Sequence, residues 1–211
     1  MVAGWQKELD TLEEFARNGK LDNEFRSRAD GLLSAMEEHI ATGHRKLLAR
    51  ALRASALASL EVHDERSALW VIETARLFWP GVTEALDSFG HTGKHLASLM
   101  GKEARLSEEA RELDPTQEGV LPPHAAAPIR LRYPRAARVA RLEGTIGLEV
   151  VIDRAGNAHL PQIVDGTTST RATALLVGAL DTLRETHFQP GTRQDWPVPS
   201  FHTVSLRFRK P

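Results

Sequence analysis

The stretch EGTIGLEVVIDRAG, residues 143–156, decides the fold of the C-terminal half of the chain. Its apolar residues alternate with more polar ones, a pattern typical of a strand with one buried face. The alternating apolar residues are Ile146, Leu148, Val150 and Ile152. Residues 153–156 have the composition of a tight turn, so we expect the chain to return as a second strand over residues 158–164.

The segments on either side of this hairpin complete a small sheet. Pro161 cannot donate a ladder hydrogen bond, so the second strand should lie at a sheet edge or carry a bulge. A helix capped by Thr170 is expected to run to about Thr186 and to pack its leucine-rich face on the sheet. A last strand is predicted over residues 201–208 and a short helix over residues 133–140. The inward residues of the last strand should be Val204, Leu206 and Phe208, and the outward ones Thr203, Ser205 and Arg207.

The first half of the chain, up to about Asp114, has a helical period. Apolar residues recur there at spacings of three and four, and few residues interrupt the pattern. Asp22 is a predicted N-cap, as is either Asp64 or His63 for a later helix. The predicted helices cover roughly residues 3–18, 22–42, 45–61, 65–79, 81–89 and 92–112.

A change in composition separates the two halves of the chain. Residues 115–128 are rich in proline and are predicted to form a semi-extended linker. We therefore expect an α+β protein with an all-helical N-terminal domain of helical hairpins at residues 1–114. The C-terminal domain, residues 129–211, is predicted to be a small three-stranded antiparallel sheet packed on one long helix.

Charge and composition exclude several kinds of site. The chain has 27 Lys and Arg against 28 Asp and Glu, so no global field attracts nucleic acid or an anionic membrane. It has no cysteine, which excludes disulfides, a thiolate nucleophile and zinc sites with sulfur ligands. No window approaches the roughly 20 apolar residues that span a bilayer. We expect either a cytoplasmic protein or a soluble segment whose export signal or membrane anchor lies upstream of residue 1.

A set of short motifs occurs in order between Ile129 and Arg209. The motifs are Tyr133-Pro134, Ala136-Ala137-Arg138, Glu143-Gly144-Thr145, Asp153-Arg154-Ala155-Gly156, His187-Phe188-Gln189-Pro190-Gly191, Val198-Pro199 and Val204 to Phe208. Each is common by itself, but together, in this order and at this spacing, they resemble the TonB C-terminal domain. The resemblance implies a periplasmic domain that adds a short peptide of an outer-membrane receptor as a strand and transmits force from an inner-membrane motor.

Carried over by position, the resemblance implies a partner-binding site at Tyr133, Pro134 and the last strand. The strand residues concerned are Thr203, Val204, Ser205, Leu206, Arg207 and Phe208. The partner would be a peptide segment of an outer-membrane receptor or another envelope protein. Family members have an N-terminal transmembrane helix and a long proline-rich spacer, whereas this chain has a helical domain and a brief linker.

A second hypothesis assigns partner binding to the helical half. The segment from Ala51 to Pro80 has small and large residues at the spacing of a tetratricopeptide hairpin, and it faintly resembles that kind of scaffold. The sheet domain would then serve self-association, as a homodimer formed through its edge strands.

Two clusters of polar residues are candidates for further sites. Five arginines form a run without an acidic residue among them, at Arg130, Arg132, Arg135, Arg138 and Arg141. This basic patch suits an anionic partner or the anionic envelope surface, or is a solvated helix face. It lacks the series of aromatic residues that stack on bases, so no nucleic acid is expected. His91 and His95 have metal-ligand spacing, but Gly90 and Gly93 interrupt the pattern and no third ligand is evident, so no metal is predicted.

The chain carries no motif of a known enzyme class. It lacks a phosphate-binding glycine loop, a nucleophile elbow, a zinc-protease motif and a dinucleotide fingerprint. We therefore predict a protein without enzymatic activity and without a cofactor.

Overall fold

The computed structural model describes residues 1–39, 44–113, 119–166 and 173–209. The chain divides into two compact units, Met1–Gly101 and Lys102–Pro211. Helices build the first unit and small antiparallel sheets with helices build the second, which confirms the α+β prediction.

The helices of the first part of the chain follow the predicted period closely. They are α1 (Val2–Arg17), α2 (Asn23–His39), α3 (Arg45–Glu61), α4 (Glu65–Phe78) and α5 (Gly90–Arg111). The segment predicted as one helix at residues 81–89 instead forms two short 3-10 helices, Pro80–Thr83 and Leu86–Phe89. Its glycine and proline residues favour such short turns over a continuous α-helix.

Side-chain caps begin two of these helices as predicted. The backbone N–H of Phe25 donates to Asp22 Oδ1 at 2.9 Å, and the N–H of Ser67 donates to Asp64 Oδ1 at 3.0 Å. Each carboxylate accepts a bond from an N–H that has no partner within its helix. The predicted cap at Thr170 and the predicted end of α2 at residue 42 lie outside the described residues.

A buried charged cluster inside the helical unit is absent from the sequence-based predictions. Glu13 of α1 accepts hydrogen bonds from Arg50 at 2.6 Å and from Arg53 at 2.5 Å, both on α3. Arg53 is 5% exposed and also donates to the carbonyl oxygen of Val82. Because an unpaired buried charge is strongly destabilising, this cluster holds α1 against α3 in one arrangement.

The main sheet of the second unit has three antiparallel strands, β3 (Gly144–Ile152), β4 (Ala158–Gly166) and β8 (Ser200–Phe208). Their order in the sheet is β4-β3-β8. Helix α7 (Thr173–Glu185) packs on one face of the sheet, where Leu175, Leu180 and Leu183 are buried. A short helix, α6 (Arg135–Val139), precedes β3. This arrangement confirms the predicted sheet packed on one long helix.

The second unit also contains pairs of short strands that the sequence analysis did not predict. The strands are β1 (Val120–Leu121), β2 (His124–Ala125), β5 (Phe188–Gln189), β6 (Gly191–Arg193) and β7 (Trp196–Val198). Strand β1 pairs with β6, and β2 pairs with β5. Residues 120–125, predicted to be linker, are therefore part of the second unit. Extended proline-rich backbone keeps the free N–H and C=O groups of its other residues available for such pairing.

Strand β4 shows both features predicted from Pro161. It lies at one end of the sheet, and its register with β3 shifts twice, between Gly147 and Leu148 and between Glu149 and Val151. Leu160, directly before the proline, has a φ of +48°. Since proline cannot donate and the register is broken, β4 offers a poor edge for a further strand.

Candidate partner-binding edge

Strand β8 forms the other end of the main sheet. It pairs with β3 in unbroken antiparallel register over its whole length, from Gly144 opposite Phe208 to Ile152 opposite Ser200. Within residues 119–166 and 173–209, no strand pairs with its other side. In an antiparallel strand, alternate residues direct their N–H and C=O groups away from the neighbour. Strand β8 therefore offers a row of backbone donors and acceptors to an added strand.

The side chains of β8 alternate as the sequence predicted. Val204, Leu206 and Phe208 are at most 6% exposed, and they face the core under α7. The outward residues Thr203, Ser205 and Arg207 are exposed. Buried residues on one face and polar residues on the other fix the register of the strand. The core thus holds β8 in place, and the register of its backbone stays continuous.

Tyr133 lies beside the end of β8. Its ring makes an edge-to-face contact with the ring of Phe208, with 5.7 Å between centroids, and its hydroxyl donates to the carbonyl oxygen of Leu142. Pro134 lies against α7 instead, because a Cβ built on Gly178 would come within 2.5 Å of Pro134 Cδ. The structure therefore brings Tyr133 and β8 together, and it gives Pro134 a packing contact with α7.

The opposite face of the sheet carries a cluster that the sequence analysis missed. His159 of β4 contacts Glu103 Oε1 through Nδ1 at 2.6 Å and Asp153 Oδ2 through Nε2 at 2.9 Å. Glu103 belongs to the part of α5 that lies in the second unit, and Asp153 begins the β3–β4 turn. One imidazole therefore joins the end of α5 to the hairpin.

Hydrogen bonds keep His159 and Asp153 charged although burial opposes it. Burial by itself lowers the pKa of His159, but the hydrogen bonds with Asp153 and Glu103 outweigh it and raise the pKa to about 9. Burial likewise raises the pKa of Asp153, but bonds from His159 and Asn157 outweigh it and hold that pKa well below its ordinary value. His159 is therefore a largely buried imidazolium at neutral pH, hydrogen-bonded to Asp153 and Glu103.

Further contacts place the end of α5 over this part of the sheet. Arg154 forms an ion pair with Glu109 of α5. Val151 lies directly opposite His159, on the face away from α7, and is 1% exposed. Ala110 of α5 is also buried. The C-terminal part of α5 thus covers the hairpin end of the sheet face that points away from α7. Farther along the same face, Thr203 and Arg207 stay exposed.

Only weak sequence signals pointed to this cluster. Glu103, Ser107 and Ala110 recur at helical spacing, which is the pattern of a buried helix face. The partners Glu103 and His159 are 56 residues apart in the sequence. Their contact depends on tertiary packing, and no local pattern encodes it.

The remaining candidate residues occupy other surfaces. His91 and His95 stack with 6.3 Å between ring centroids, and His95 Nε2 lies 3.0 Å from Glu65 Oε1. In the part of the chain that the structure describes, no group of three potential ligands is placed to hold a metal ion. The five arginines of the basic patch are all exposed, and Arg132 is paired with Glu185 at 2.7 Å.

A comparison with family models finds a match in this chain. It covers residues 129–209, and the family is described as Gram-negative bacterial TonB protein C-terminal. Residues 129–209 match the TonB family. This confirms the resemblance inferred from the motifs. The TonB C-terminal family is a family of non-enzymatic protein-interaction domains from envelope proteins.

The TonB match covers less than half of the chain, and the helical unit lies outside it. Comparisons with curated proteins and with solved structures gave no significant match. Among the described residues, no helix combines the length and apolar character needed to cross a bilayer. The functional assignment therefore depends on the TonB-matching region and its β8 edge.

Proposed function

We propose that this chain is a non-enzymatic envelope protein that binds a partner protein in the periplasm by adding a strand to β8. The partner would be an extended peptide segment of an outer-membrane receptor or of another envelope protein. The TonB match supports energy-coupled transport as the setting for this contact. The binding mode itself can be tested without a transport assay.

One observation carries the proposal: the contrast between the two ends of the main sheet. Strand β8 contains no proline and has a register without shifts. Strand β4 contains Pro161 and two register shifts. An added strand needs a continuous row of donors and acceptors, which only β8 offers among the described strands of this sheet.

The energetics predict a weak contact. An added strand of about five residues makes a few backbone hydrogen bonds, each worth about 0.5–1.5 kcal/mol net. Association loses at least several kcal/mol of translational and rotational freedom. Strand addition alone therefore gives modest affinity, and tethering or a second contact must raise it.

The direct test is an NMR titration of the full chain with a peptide from the exposed segment of a candidate receptor. We expect the backbone amides of Thr203–Arg207 to shift, because they lie on the strand that gains a neighbour. Amides of Leu175–Leu183 on α7 serve as an internal control and should shift much less. A peptide of the same length with proline at alternate positions lacks the required N–H donors and should not bind.

Two results would overturn the proposal. One is that a saturating concentration of the peptide leaves the backbone amide chemical shifts of residues 203–207 unchanged. The other is retention of the partner by residues 1–114 alone, which would assign binding to the helical half, as in the second hypothesis.

A further inference from the structure

We propose that the basic patch is a docking surface for an anionic phospholipid membrane. The patch comprises Arg130, Arg132, Arg135, Arg138 and Arg141, and we extend it here by the exposed apolar residues Leu131 and Val139. This surface is distinct from the β8 edge, and the proposal does not depend on strand addition.

Helix α6 separates a buried face from a basic exposed one. Ala136 and Ala137 are 4% and 0% exposed, so they form the face that packs on the protein. Arg135 and Arg138 are three residues apart and share the exposed face, and Val139 is one turn from Arg135 and 76% exposed. Cationic side chains around an exposed aliphatic one match the chemistry of a membrane interface.

The segment that carries the patch has a net positive charge of its own. Residues 129–142 contain five arginines and no carboxylate. Arg132 is paired with Glu185 of α7, and Arg138 donates to the carbonyl oxygen of Tyr133 at 3.4 Å. These contacts fix the positions of the Arg132 and Arg138 side chains, and the guanidinium groups of both residues stay at the surface. An anionic bilayer attracts each such cation, and the attractions add.

The backbone at Arg141 gives independent support. Leu142 N–H donates to the Ala137 carbonyl and Arg141 N–H to the Arg138 carbonyl, the pair of bonds that ends a helix with one left-handed residue. Arg141 is that residue, with a φ of +52°. Glycine is favoured there because it lacks a Cβ. Strained backbone of this kind concentrates at functional sites, which agrees with a functional role for this surface.

A protein or nucleic-acid partner fits this surface less well. The aromatic residue of the segment, Tyr133, has its ring against Phe208 and its hydroxyl on Leu142. It is therefore engaged inside the domain and cannot act as the exposed aromatic anchor that such partners favour. The accessible apolar groups are Leu131 and Val139, which suit shallow insertion between headgroups.

The test is co-sedimentation of the full chain with vesicles that contain phosphatidylglycerol and phosphatidylethanolamine, compared with pure phosphatidylcholine vesicles. We expect binding only to the anionic vesicles, with strong weakening between 0.1 and 1 M salt, as the Debye length falls from about 10 Å to about 3 Å. The variant Arg130→Gln, Arg138→Gln, Arg141→Gln should bind about a hundredfold more weakly, at about fivefold per arginine.

Matched variants make the result specific. Arg66→Gln, Arg105→Gln, Arg111→Gln removes the same charge from exposed helical sites and should bind like the unaltered chain. Arg141→Gly relieves the backbone strain, so weaker vesicle binding by this variant cannot result from unfolding.

Several results would overturn the proposal. One is that the chain binds anionic and neutral vesicles equally well. Another is that the control variant loses as much vesicle binding as the patch variant. A third is that the patch variant binds vesicles as tightly as the unaltered chain. Loss of an acidic protein partner by a patch variant that still binds vesicles would assign the surface to protein recognition instead. The vesicles contain no protein, so each outcome is independent of the peptide titration at β8.

Discussion

Gly156 shows how a single residue controls the β3–β4 hairpin. Its φ is +83°, and a Cβ at this position would lie 2.0 Å from the carbonyl oxygen of Phe188. The N–H of Phe188 also donates to the carbonyl of Gly156 at 3.0 Å. The turn therefore needs glycine both for its left-handed backbone and for the close approach of Phe188.

We expect Gly156→Ala to destabilise the second unit by about 2 kcal/mol or more, because the left-handed backbone and the clash both oppose a Cβ. Urea unfolding followed by circular dichroism measures the change. Gly31→Ala is the matched control, because Gly31 lies in α2 with nothing within 4 Å of its added Cβ. That variant should stabilise the helix by about 0.5–1 kcal/mol. Equal stability of the Gly156→Ala variant and the unaltered chain would contradict the role of the turn.

At the scale of elements, the contact between α5 and the hairpin is electrostatic and depends on pH. The folded protein raises the pKa of His159 from 6.5 to about 9, so it binds a proton there that the unfolded chain releases. This stabilisation is complete below pH 6.5 and is lost as pH rises toward 9. The pKa of Asp153 is lowered, so its contribution is present above its ordinary pKa of 3.8 and is lost as pH falls further.

We therefore predict that the free energy of unfolding falls between pH 6.5 and 9, by up to about 3 kcal/mol from His159. His159→Gln should lower stability at pH 6 and flatten this pH dependence. His91→Gln, which changes an exposed histidine, should keep the slope of the unaltered chain. Denaturant unfolding at a series of pH values tests both variants, and an identical slope in the His159 variant would contradict the assignment.

At the scale of the whole molecule, β8 has two candidate neighbours: a peptide of the partner and the β8 of a second chain. Open edges that lack proline pair readily with one another, and a twofold axis places two copies of one strand side by side. Both contacts need the same backbone groups, so one excludes the other.

We predict a weak homodimer with a dissociation constant on the order of 100 μM, because few backbone hydrogen bonds form against the loss of freedom on association. Sedimentation velocity over a range of concentrations should show the dimer, and a saturating strand peptide should return the chain to monomer. A dimer that persists with β8 occupied would place the self-association elsewhere on the surface.

Much of the local structure followed from the sequence. Period two predicted β3 and β8, because burial of one face fixes which residues point inward. Period 3.6 predicted the helices, and the carboxylates of Asp22 and Asp64 marked where two of them begin. Pro161 predicted an irregular edge strand because it lacks an N–H. In each case the decisive interaction lies within a few residues of the pattern.

The tertiary structure alone decided the contacts between distant segments. No local pattern predicted that His159 lies between Glu103 and Asp153, that residues 120–125 pair with β5 and β6, or that Glu13 holds two arginines of α3. Such contacts join residues that are far apart along the chain, and their geometry is fixed only when the elements pack. The sequence by itself determined a helical half and a small antiparallel sheet, because local periodicity encodes secondary structure, and its ordered motifs carried the resemblance to the TonB C-terminal domain. Only the packed molecule determined which strand edge stays open, because that depends on every neighbour of the strand.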